Sequence, residues 1–422
     1  MLEGAMRNKF TTTRSGALLI ITFLYASVFA AGVFSTAFAT EVIKDDDPGR
    51  RSNRYIDDTR ERSQSGWKAI ISNAYPHKTQ ASGRWFNPAP IPRPFVRSET
   101  MLPFSDDMRT RLRDNSTDGL IVVKDDVIVR QYFRFGFDID DIHQIHSVGK
   151  VFTSFAIRPV YERIGPDGLN RRLDEYLPRL QGKFFGQSTL VQALDMKNGM
   201  EWTENYEDPT TATMLSGPVG GWDPIDPAKG PESWYERMFD FPKYGEHGKT
   251  WVYNNSSVIA ASFAAAAIAE RHFSELVQDS YDALGFEDRS WYTANQFNEL
   301  SAEGGQAISI RDFAKLGRFM LNSDGSAYVD NVWNEKADPD DPADAKFLSK
   351  YGEMFGADGY KNYWYRIGPD TIMGLGSSGI LLYVDRSKSL IIAKYSSFVQ
   401  GQGAEEFGEA FEIITELAAK DF

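Results

Sequence analysis

The stretch Ser147-Val-Gly-Lys150 lies between a polar segment, Asp138–His146, and the apolar run Val151–Ala156. If the apolar run is helical, residues three apart share a face, so the Ser147 hydroxyl and the Lys150 amine project side by side. A buried lysine has a lowered pKa and can take the proton of a serine, which turns the serine into a nucleophile. The N–H groups at a helix start can hold a developing oxyanion. The stretch therefore predicts a nucleophilic serine that opens a helix.

Ser-x-x-Lys is unspecific by itself, and the chain contains a second copy, Ser65-Gly-Trp-Lys68, with no apolar helix behind it. The alternative interpretation of the first copy is a helix N-cap, Ser147, followed by a solvated Lys150. The catalytic interpretation depends on patterns further along the chain.

Composition excludes several classes of protein. The 422 residues carry a net charge of −13, which argues against nucleic acid as a partner. The chain has no cysteine, so thiol nucleophiles, disulfides and cysteine zinc sites are absent. A hydrophobic content of 42% is enough for one large domain or two lobes.

The N-terminus has the pattern of an export signal. Basic residues precede an apolar run over 16–34, and Ala37-Phe-Ala39 fits the small-x-small cleavage rule. Residues 1–39 are predicted to be a signal peptide that directs the protein to the periplasm or another exported location. An uncleaved membrane anchor is the alternative. Residues 40–84 are predicted to form a flexible leader and arm.

Strand patterns occur near both ends of the remaining chain. Residues 119–123 and 127–133 predict a β-hairpin around Lys124-Asp-Asp126, and residues 379–384 and 389–395 predict two C-terminal strands. Helical patterns lie between them. The prediction is an α+β domain over 85–422, with an antiparallel sheet flanked by helices and an inserted all-helical lobe. The α/β lobe would comprise about 85–160 and 300–422, and the helical lobe about 161–299.

Helix predictions are strongest for 257–271, 311–321 and 405–419, which have helical periodicity or an alanine-rich run. Pro159 lies inside the helix that follows Ser147, so a kink or an early end is expected there. The acidic segment 324–346 is predicted to be a solvated surface loop.

Two more patterns follow in order. Tyr253-Asn-Asn255 precedes a helix about a hundred residues after Ser147, and Gly376-Ser-Ser-Gly379 opens a C-terminal strand. In this order the chain resembles the serine β-lactamase and penicillin-binding-protein superfamily, whose motifs are S-x-x-K, a second polar motif (S-x-N or Y-x-N) and K-T-G. The tyrosine form of motif two resembles the branch of class C lactamases, D-alanine carboxypeptidases and esterases.

Within that branch the chain looks most like the 6-aminohexanoate-dimer (nylon-oligomer) hydrolases. This likeness rests on the segment 194–209, on Tyr363-Trp364, and on Gly376, Gly379 and Ile380. It covers about residues 85–418. The resemblance implies an amidase or esterase that needs no cofactor or metal and acts on a small-molecule amide or ester.

The motif residues have a chemical interpretation as a unit. Ser147 would attack a carbonyl carbon, Lys150 would receive the serine proton, and the Tyr253 phenol would relay a proton to the leaving amine. A lysine ammonium beside the phenol should depress the Tyr253 pKa, so a tyrosinate or a proton shared between the two groups is also expected. Whether Lys150 or Tyr253 is the base stays open at this point.

Further roles come from the resemblance alone. It implies that the oxyanion hole consists of the backbone N–H groups of Ser147 and Ile380, with Ser378 and Gly379 as part of motif three. It also implies that Tyr206 contacts the scissile amide, that Asn255 orients Lys150 or the substrate, and that Trp364 closes over the bound chain. As isolated aromatic residues, Tyr206 and Trp364 could equally belong to the core.

Motif three departs from the superfamily, because Ser377-Ser-Gly379 replaces Lys-Thr-Gly. The lysine that would hold a β-lactam carboxylate is missing, which argues against β-lactamase activity. A D-alanyl carboxypeptidase acting on cell-wall peptides and an inactive envelope-binding protein stay as alternatives. Oligomeric state is not predicted.

Competing chemistries lack their patterns. No Gly-x-Ser-x-Gly occurs, and the five histidines form no His-Glu-x-x-His zinc motif. A Ser147–His146 pair is disfavoured because neighbours in sequence do not face each other at a helix start.

Overall fold

The computed structural model describes residues 83–134, 136–204, 210–222, 232–323, 325–397 and 404–420. Strands in these residues form two sheets and are numbered in chain order: β1 (Gly83–Phe86), β2 (Val96–Arg97), β3 (Thr117–Lys124), β4 (Val127–Phe133), β5 (Ile142–Gln144), β6 (Ser290–Thr293), β7 (Gln306–Ser309), β8 (Gly359–Lys361), β9 (Trp364–Arg366), β10 (Thr371–Gly376), β11 (Ile380–Asp385) and β12 (Leu390–Ser396). Helices are numbered likewise: α1 (Asp106–Asp114), α2 (Gly149–Leu169), α3 (Leu173–Tyr176), α4 (Leu190–Leu194), α5 (Ala212–Leu215), α6 (Trp234–Asp240), α7 (Asn255–Ala269), α8 (Phe273–Leu284), α9 (Ile310–Asn322), α10 (Ala327–Asn334), α11 (Pro342–Phe347), α12 (Glu353–Phe355) and α13 (Ala404–Ala418).

The predicted hairpin, β3 and β4, forms in the larger sheet. The two strands pair antiparallel, with Val122 opposite Arg130. Asp125 and Asp126 in the turn have φ angles of 49° and 68°. Positive φ at both central positions is typical of a type I′ turn, whose twist matches that of the flanking strands.

The larger sheet has the strand order β2-β4-β3-β12-β11-β10-β9-β8. Neighbouring strands are antiparallel, apart from the short parallel pair β2–β4. β11 and β12 confirm the two predicted C-terminal strands, and β12 pairs with β3 from the N-terminal part of the domain. The predicted fold class, α+β with a β-lactamase-like antiparallel sheet flanked by helices, is confirmed.

Helices cover both faces of this sheet. On one face α9 packs against β12, and the rings of Phe313 and Tyr395 have centroids 5.0 Å apart. Successive residues of a strand point to opposite faces, so Lys394 points the other way. There its Nζ donates to Asn115 Oδ1 at 2.9 Å, at the end of α1. Asn115 Nδ2 in turn donates to the Glu406 carbonyl oxygen of α13.

A smaller sheet, β1-β6-β7-β5, was not predicted. Its strand β5 pairs antiparallel with β7, placing His143 opposite Ile308. β1 pairs with β6, so the expected domain start at residue 85 falls inside a strand. The expected lobe boundary at residue 160 falls inside α2. This sheet positions the site, because β5 leads directly into Ser147.

The prediction of a kink or an early end at Pro159 is wrong. α2 runs through this residue and departs from helical φ and ψ at Gly165, where φ is 61°. Pro159 removes the N–H partner of the Phe155 carbonyl, one turn earlier. Pro159 itself is exposed, so its ring takes no space in the core.

The prediction that residues 324–346 form a solvated loop is wrong for much of their length. α10 and α11 lie within this segment. α10 buries four apolar residues at helical spacing, and the surrounding aspartates hide this pattern: Tyr328, Val329, Val332 and Trp333.

The predicted signal peptide, residues 1–39, and the leader up to residue 82 lie outside the described residues and stay predictions. Gly83 and Arg84, the last residues of the predicted arm, belong to β1. Within the described ranges, no helix has the length and apolar character needed to cross a membrane.

Candidate active site

The nucleophile turn, residues 145–148, joins β5 to α2. His146 adopts a φ of 45°, and His146–Val148 form one 3-10 turn before the α-helix begins at Gly149. Ser147 therefore lies at the N-terminal end of a 21-residue helix, as the sequence predicts. Backbone N–H groups and the helix dipole favour negative charge at this position.

Two glycines allow other segments to approach this turn closely. A Cβ atom on Gly376, at the end of β10, would lie 2.8 Å from the Ile145 carbonyl oxygen. A Cβ atom on Gly304, just before β7, would lie 3.0 Å from the His146 carbonyl oxygen. Larger residues at either position would push the turn away, so the two glycines fix Ser147 between the two sheets.

Lys150 lies one turn into α2 and its side chain is buried, with 1% of the residue exposed. Its Nζ donates to Ser147 Oγ at 2.8 Å and to the main-chain oxygen of Glu303 at 2.8 Å. Burial lowers the pKa of Lys150 to about 8, against the opposing effect of the Glu204 and Glu303 charges. A substantial fraction of the amine is therefore neutral at mildly alkaline pH and can accept the serine proton.

Tyr253 lies two residues before α7, with its ring 4.9 Å from the Lys150 Nζ. Burial, followed by the charge of Glu204, raises the pKa of Tyr253 well above 10, and a hydrogen bond with Ser147 opposes this only in part. The expectation that Lys150 depresses this pKa is wrong, because burial dominates and the ammonium lies over the ring. The phenol stays protonated and suits a proton donor.

The two asparagines of motif two, Asn254 and Asn255, have different structural environments. Asn254 is the N-cap of α7, and its side chain accepts the Ser257 N–H at 2.8 Å. Asn255 Oδ1 has no hydrogen-bond partner among the described residues, and Asn255 lines a cavity beside Lys150. Of its two predicted roles, the geometry fits contact with a substrate.

Motif three forms the hairpin between β10 and β11, in which Gly376 pairs with Ile380. Ser377 lines two cavities together with Ser147. Ser378, Gly379 and Ile380 are buried and line neither cavity. The predicted role of the Ile380 N–H as the second oxyanion donor therefore stays a prediction, and Ser377 is the motif-three residue that lines both cavities together with Ser147.

No lysine of motif three faces these two cavities. Lys394 Nζ donates to the Gly379 carbonyl oxygen at 3.4 Å from the opposite side of the turn. Lys394 is completely buried, and burial lowers its pKa to about 7. It supports the turn from the core and presents no charge to a bound substrate.

The two predicted aromatic contacts have different outcomes. Trp364 lies in β9 with 1% of the residue exposed, and its Nε1 donates to the Tyr328 hydroxyl at 3.2 Å. The predicted closure of Trp364 over a substrate is wrong, since the residue belongs to the core. Tyr206 lies outside the described residues, so its contact with the scissile amide stays a prediction.

Two cavities meet at Ser147 and Ser377. The first cavity is lined by Lys150, Met214, Trp222, Trp234, Asn255 and Glu303. The second cavity is lined by Glu204, Tyr253, Lys350, Tyr351, Phe355 and Phe407. A substrate can therefore extend from the nucleophile in two directions.

Sequence reasoning missed the acidic residues of the site. Glu303 supplies the main-chain oxygen that holds Lys150, and its carboxylate lines the first cavity. Glu204 lines the second cavity and accepts hydrogen bonds from Trp202 Nε1 and Thr213 Oγ1. Glu204 lies within the segment 194–209 but is not singled out there, and Glu303 lies in none of the quoted segments. The glycines after Glu303 indicate close packing, but the sequence does not say against which residues.

The histidine next to the nucleophile is a much weaker base than an ordinary imidazole. Burial, assisted by the charges of His143 and Lys150, lowers the pKa of His146 to about 3. The imidazole is therefore neutral, and in the described part of the chain Ser147 Oγ accepts its hydrogen bond from Lys150.

The sequence matches the family model "Beta-lactamase" over residues 118–413, a range that contains Ser147, Lys150, Tyr253 and the motif-three hairpin. The chain belongs to the beta-lactamase family, and it is a serine hydrolase of that superfamily, of the amidase and esterase type.

Individual proteins of known name or structure are also similar to this chain. The chain is 25% identical over 325 residues to the 6-aminohexanoate-dimer hydrolase of Paenarthrobacter ureafaciens, covering 74% of this chain and 80% of the relative. A solved Bacillus anthracis protein, named provisionally as a 6-aminohexanoate-dimer hydrolase, superposes with a TM-score of 0.68 at 21% identity, covering 87% of this chain and 97% of the other. The β-lactamase/D-alanine carboxypeptidase of Yersinia pestis superposes with a TM-score of 0.54 at 15% identity, covering 74% and 96%. The two solved structures share the fold.

Proposed function

We propose that this enzyme hydrolyses amide or ester bonds of small linear substrates through an acyl-enzyme on Ser147. The observation that carries the proposal is the 2.8 Å hydrogen bond from the buried Lys150 Nζ to Ser147 Oγ, where two cavities meet. A serine paired with a base of lowered pKa is the arrangement that nucleophilic catalysis requires.

Lys150 is the base in this proposal and Tyr253 the acid. The lysine pKa of about 8 allows proton uptake near neutral pH, whereas the tyrosine pKa lies well above 10 and keeps the phenol protonated. The two opposite pKa shifts support this choice between the alternatives that the sequence leaves open.

The reaction has two halves. Ser147 Oγ attacks the carbonyl carbon while neutral Lys150 takes the hydroxyl proton. The bond to the leaving nitrogen or oxygen then breaks as that atom takes the proton of the Tyr253 phenol. The Lys150 ammonium next gives its proton to the Tyr253 phenolate, which leaves Lys150 neutral again. Water next attacks the acyl-enzyme and gives its proton to Lys150. The Ser147 oxygen leaves and recovers that proton, so one water has been divided between the two products.

Two backbone N–H groups would hold the oxyanion, those of Ser147 and Ser377. The first lies at the N-terminal end of α2, and the second lies at the hairpin that lines both cavities. Donors in such positions typically contribute about 10²–10³ in kcat.

For substrates, we propose 6-aminohexanoate oligomers and carboxyl esters of similar length. The similarity to a hydrolase of that name supports this choice. So do the two cavities, because a linear chain cleaved in its middle needs space on both sides of the nucleophile. We also propose that the protein is exported, on the basis of residues 1–39.

The test is a substrate panel with the wild type and Ser147→Ala. The panel contains a p-nitrophenyl ester, the linear 6-aminohexanoate dimer and a penicillin. We expect the wild type to cleave the ester and the dimer, the variant to cleave neither, and penicillin to form no lasting adduct. A stable penicillin adduct without dimer cleavage would instead identify a penicillin-binding protein. Absence of turnover and of any adduct would contradict the enzyme proposal.

A further inference from the structure

The carboxylate of Glu303, in the first cavity, has an unused hydrogen-bonding atom. Glu303 is 6% exposed, and its Oε1 accepts a hydrogen bond from Trp222 Nε1 at 3.0 Å. Its Oε2 is buried without a partner among the described residues. The contact between Lys150 and Glu303 uses the main-chain oxygen, so it leaves this carboxylate atom free.

A buried carboxylate oxygen without a donor is costly, and such atoms usually have a partner. Burial raises the pKa of Glu303, and the hydrogen bonds from Trp222 and from the backbone N–H of Glu303, followed by the charge of Lys150, compensate only in part. Asn255 Oδ1, on the same cavity wall, also lacks a partner in the part of the chain that the structure describes. The wall thus presents two acceptor oxygens that a bound molecule could satisfy by bringing N–H donors.

The surroundings favour a cationic donor on an apolar chain. Trp222, Trp234 and Met214 line the same cavity and would cover methylene groups. Tryptophan rings also attract cations. The indole N–H of Trp234 has no hydrogen-bond partner in the described ranges, and it is a donor that suits a carbonyl oxygen of the same ligand. An anionic group here would meet the Glu303 carboxylate and be repelled.

The direction of the substrate follows from the position of the acid. Tyr253, which gives its proton to the leaving group in the proposed reaction, lines the second cavity and not the first. The leaving group therefore lies in the second cavity, and the acyl part of the substrate lies in the first.

We propose that Glu303 is a specificity-determining residue whose carboxylate binds a protonated primary amine at the far end of the substrate's acyl chain. This inference rests on the proposed acyl-enzyme mechanism and adds which residue recognises the amino end of the substrate. Glu303 acts on binding of the acyl chain, and the proton transfers remain with Lys150 and Tyr253.

The experiment compares the p-nitrophenyl esters of 6-aminohexanoate and of heptanoate. The two acyl chains have equal length, and the terminal methyl group of heptanoate is replaced by an ammonium group in 6-aminohexanoate. At pH 8 the amine is protonated. We expect the wild type to have a kcat/KM at least about tenfold higher for the amino ester, the size typical of a hydrogen bond to a charged group. In Glu303→Gln this ratio should fall to about one, because the amide has no charge. The matched control is Glu204→Gln, in the second cavity, which should keep the wild-type ratio.

A measurement without turnover covers the case in which Glu303→Gln does not fold. The Ser147→Ala protein should bind 6-aminohexanamide at least about tenfold more tightly than heptanamide in a calorimetric titration. Equal affinity for the two amides would overturn the proposal.

Other results would also overturn it. A wild-type ratio of about one, an unchanged ratio in a folded Glu303→Gln protein, or loss of the ratio in Glu204→Gln would each contradict the role of Glu303. If Glu303→Gln instead accumulates acyl-enzyme while the ratio of kcat/KM between the two esters stays unchanged, Glu303 acts in deacylation and the inference is wrong. Failure of the proposed function is distinguishable, because Ser147→Ala would then hydrolyse the heptanoyl ester as fast as the wild type.

Discussion

The rate of acylation should follow the neutral fraction of Lys150. With a pKa of about 8, the amine is about 9% neutral at pH 7 and about 91% neutral at pH 9. Since kcat/KM reports ionisations of the free enzyme, its value for a p-nitrophenyl ester should rise about tenfold between these pH values. The profile should fit a single apparent pKa near 8.

Most other groups near the site do not titrate in this range. The pKa of His146 is lowered to about 3, and that of Tyr253 lies well above 10. Lys394, with a pKa of about 7, is close enough to imitate the profile. The control Lys394→Met should therefore keep the midpoint. Glu204→Gln should move it to lower pH, because the Glu204 charge raises the Lys150 pKa.

The assay is the initial release of p-nitrophenolate from pH 6 to 10, corrected for spontaneous hydrolysis measured with Ser147→Ala. A kcat/KM that does not change with pH would refute the assignment of Lys150 as the base. A midpoint that disappears in Lys394→Met would assign the titration to Lys394 instead.

Three further outcomes are expected. Tyr253→Phe should lower amide hydrolysis by about 10²–10⁴ but affect the p-nitrophenyl ester much less, because nitrophenolate leaves without a proton; equal losses in kcat would exclude an acid role. Gly376→Ala should lower kcat while circular dichroism stays unchanged, since the added Cβ would lie 2.8 Å from the Ile145 carbonyl oxygen; full activity would show that the turn tolerates displacement. Trp364→Ala should reduce the free energy of unfolding by about 3–5 kcal/mol in a denaturant titration, whereas Trp364→Phe should keep the wild-type KM. An increased KM in Trp364→Phe would show that Trp364 does contact the substrate.

Local patterns were sufficient for much of the fold. Alternating β-branched residues around two aspartates predicted the β3–β4 hairpin, and α7 and α9 follow from an alanine-rich run and helical periodicity. Ser147 and Lys150 could be predicted as neighbours because both lie on one helix, where spacing in sequence fixes spacing in space.

Tertiary contacts decided what the sequence could not. Ser377 lines both cavities whereas Ile380 lines neither, and a motif match carries no information about which residue of the hairpin is exposed to a cavity. The pKa of Tyr253 depends on burial, which no spacing records. Glu303 reaches the site from a segment more than a hundred and fifty residues after Lys150, so its role required the folded chain.

The most direct test of the central claim is the location of the acyl group. The protein is mixed briefly with a p-nitrophenyl ester, quenched in acid, and digested with trypsin for mass spectrometry. Residues 135–150, the tryptic peptide ending at Lys150, contain one hydroxyl-bearing side chain, that of Ser147. We predict that this peptide gains the mass of the acyl group and that Ser147→Ala gains none. An adduct on another peptide, or one that persists in Ser147→Ala, would contradict Ser147 as the nucleophile.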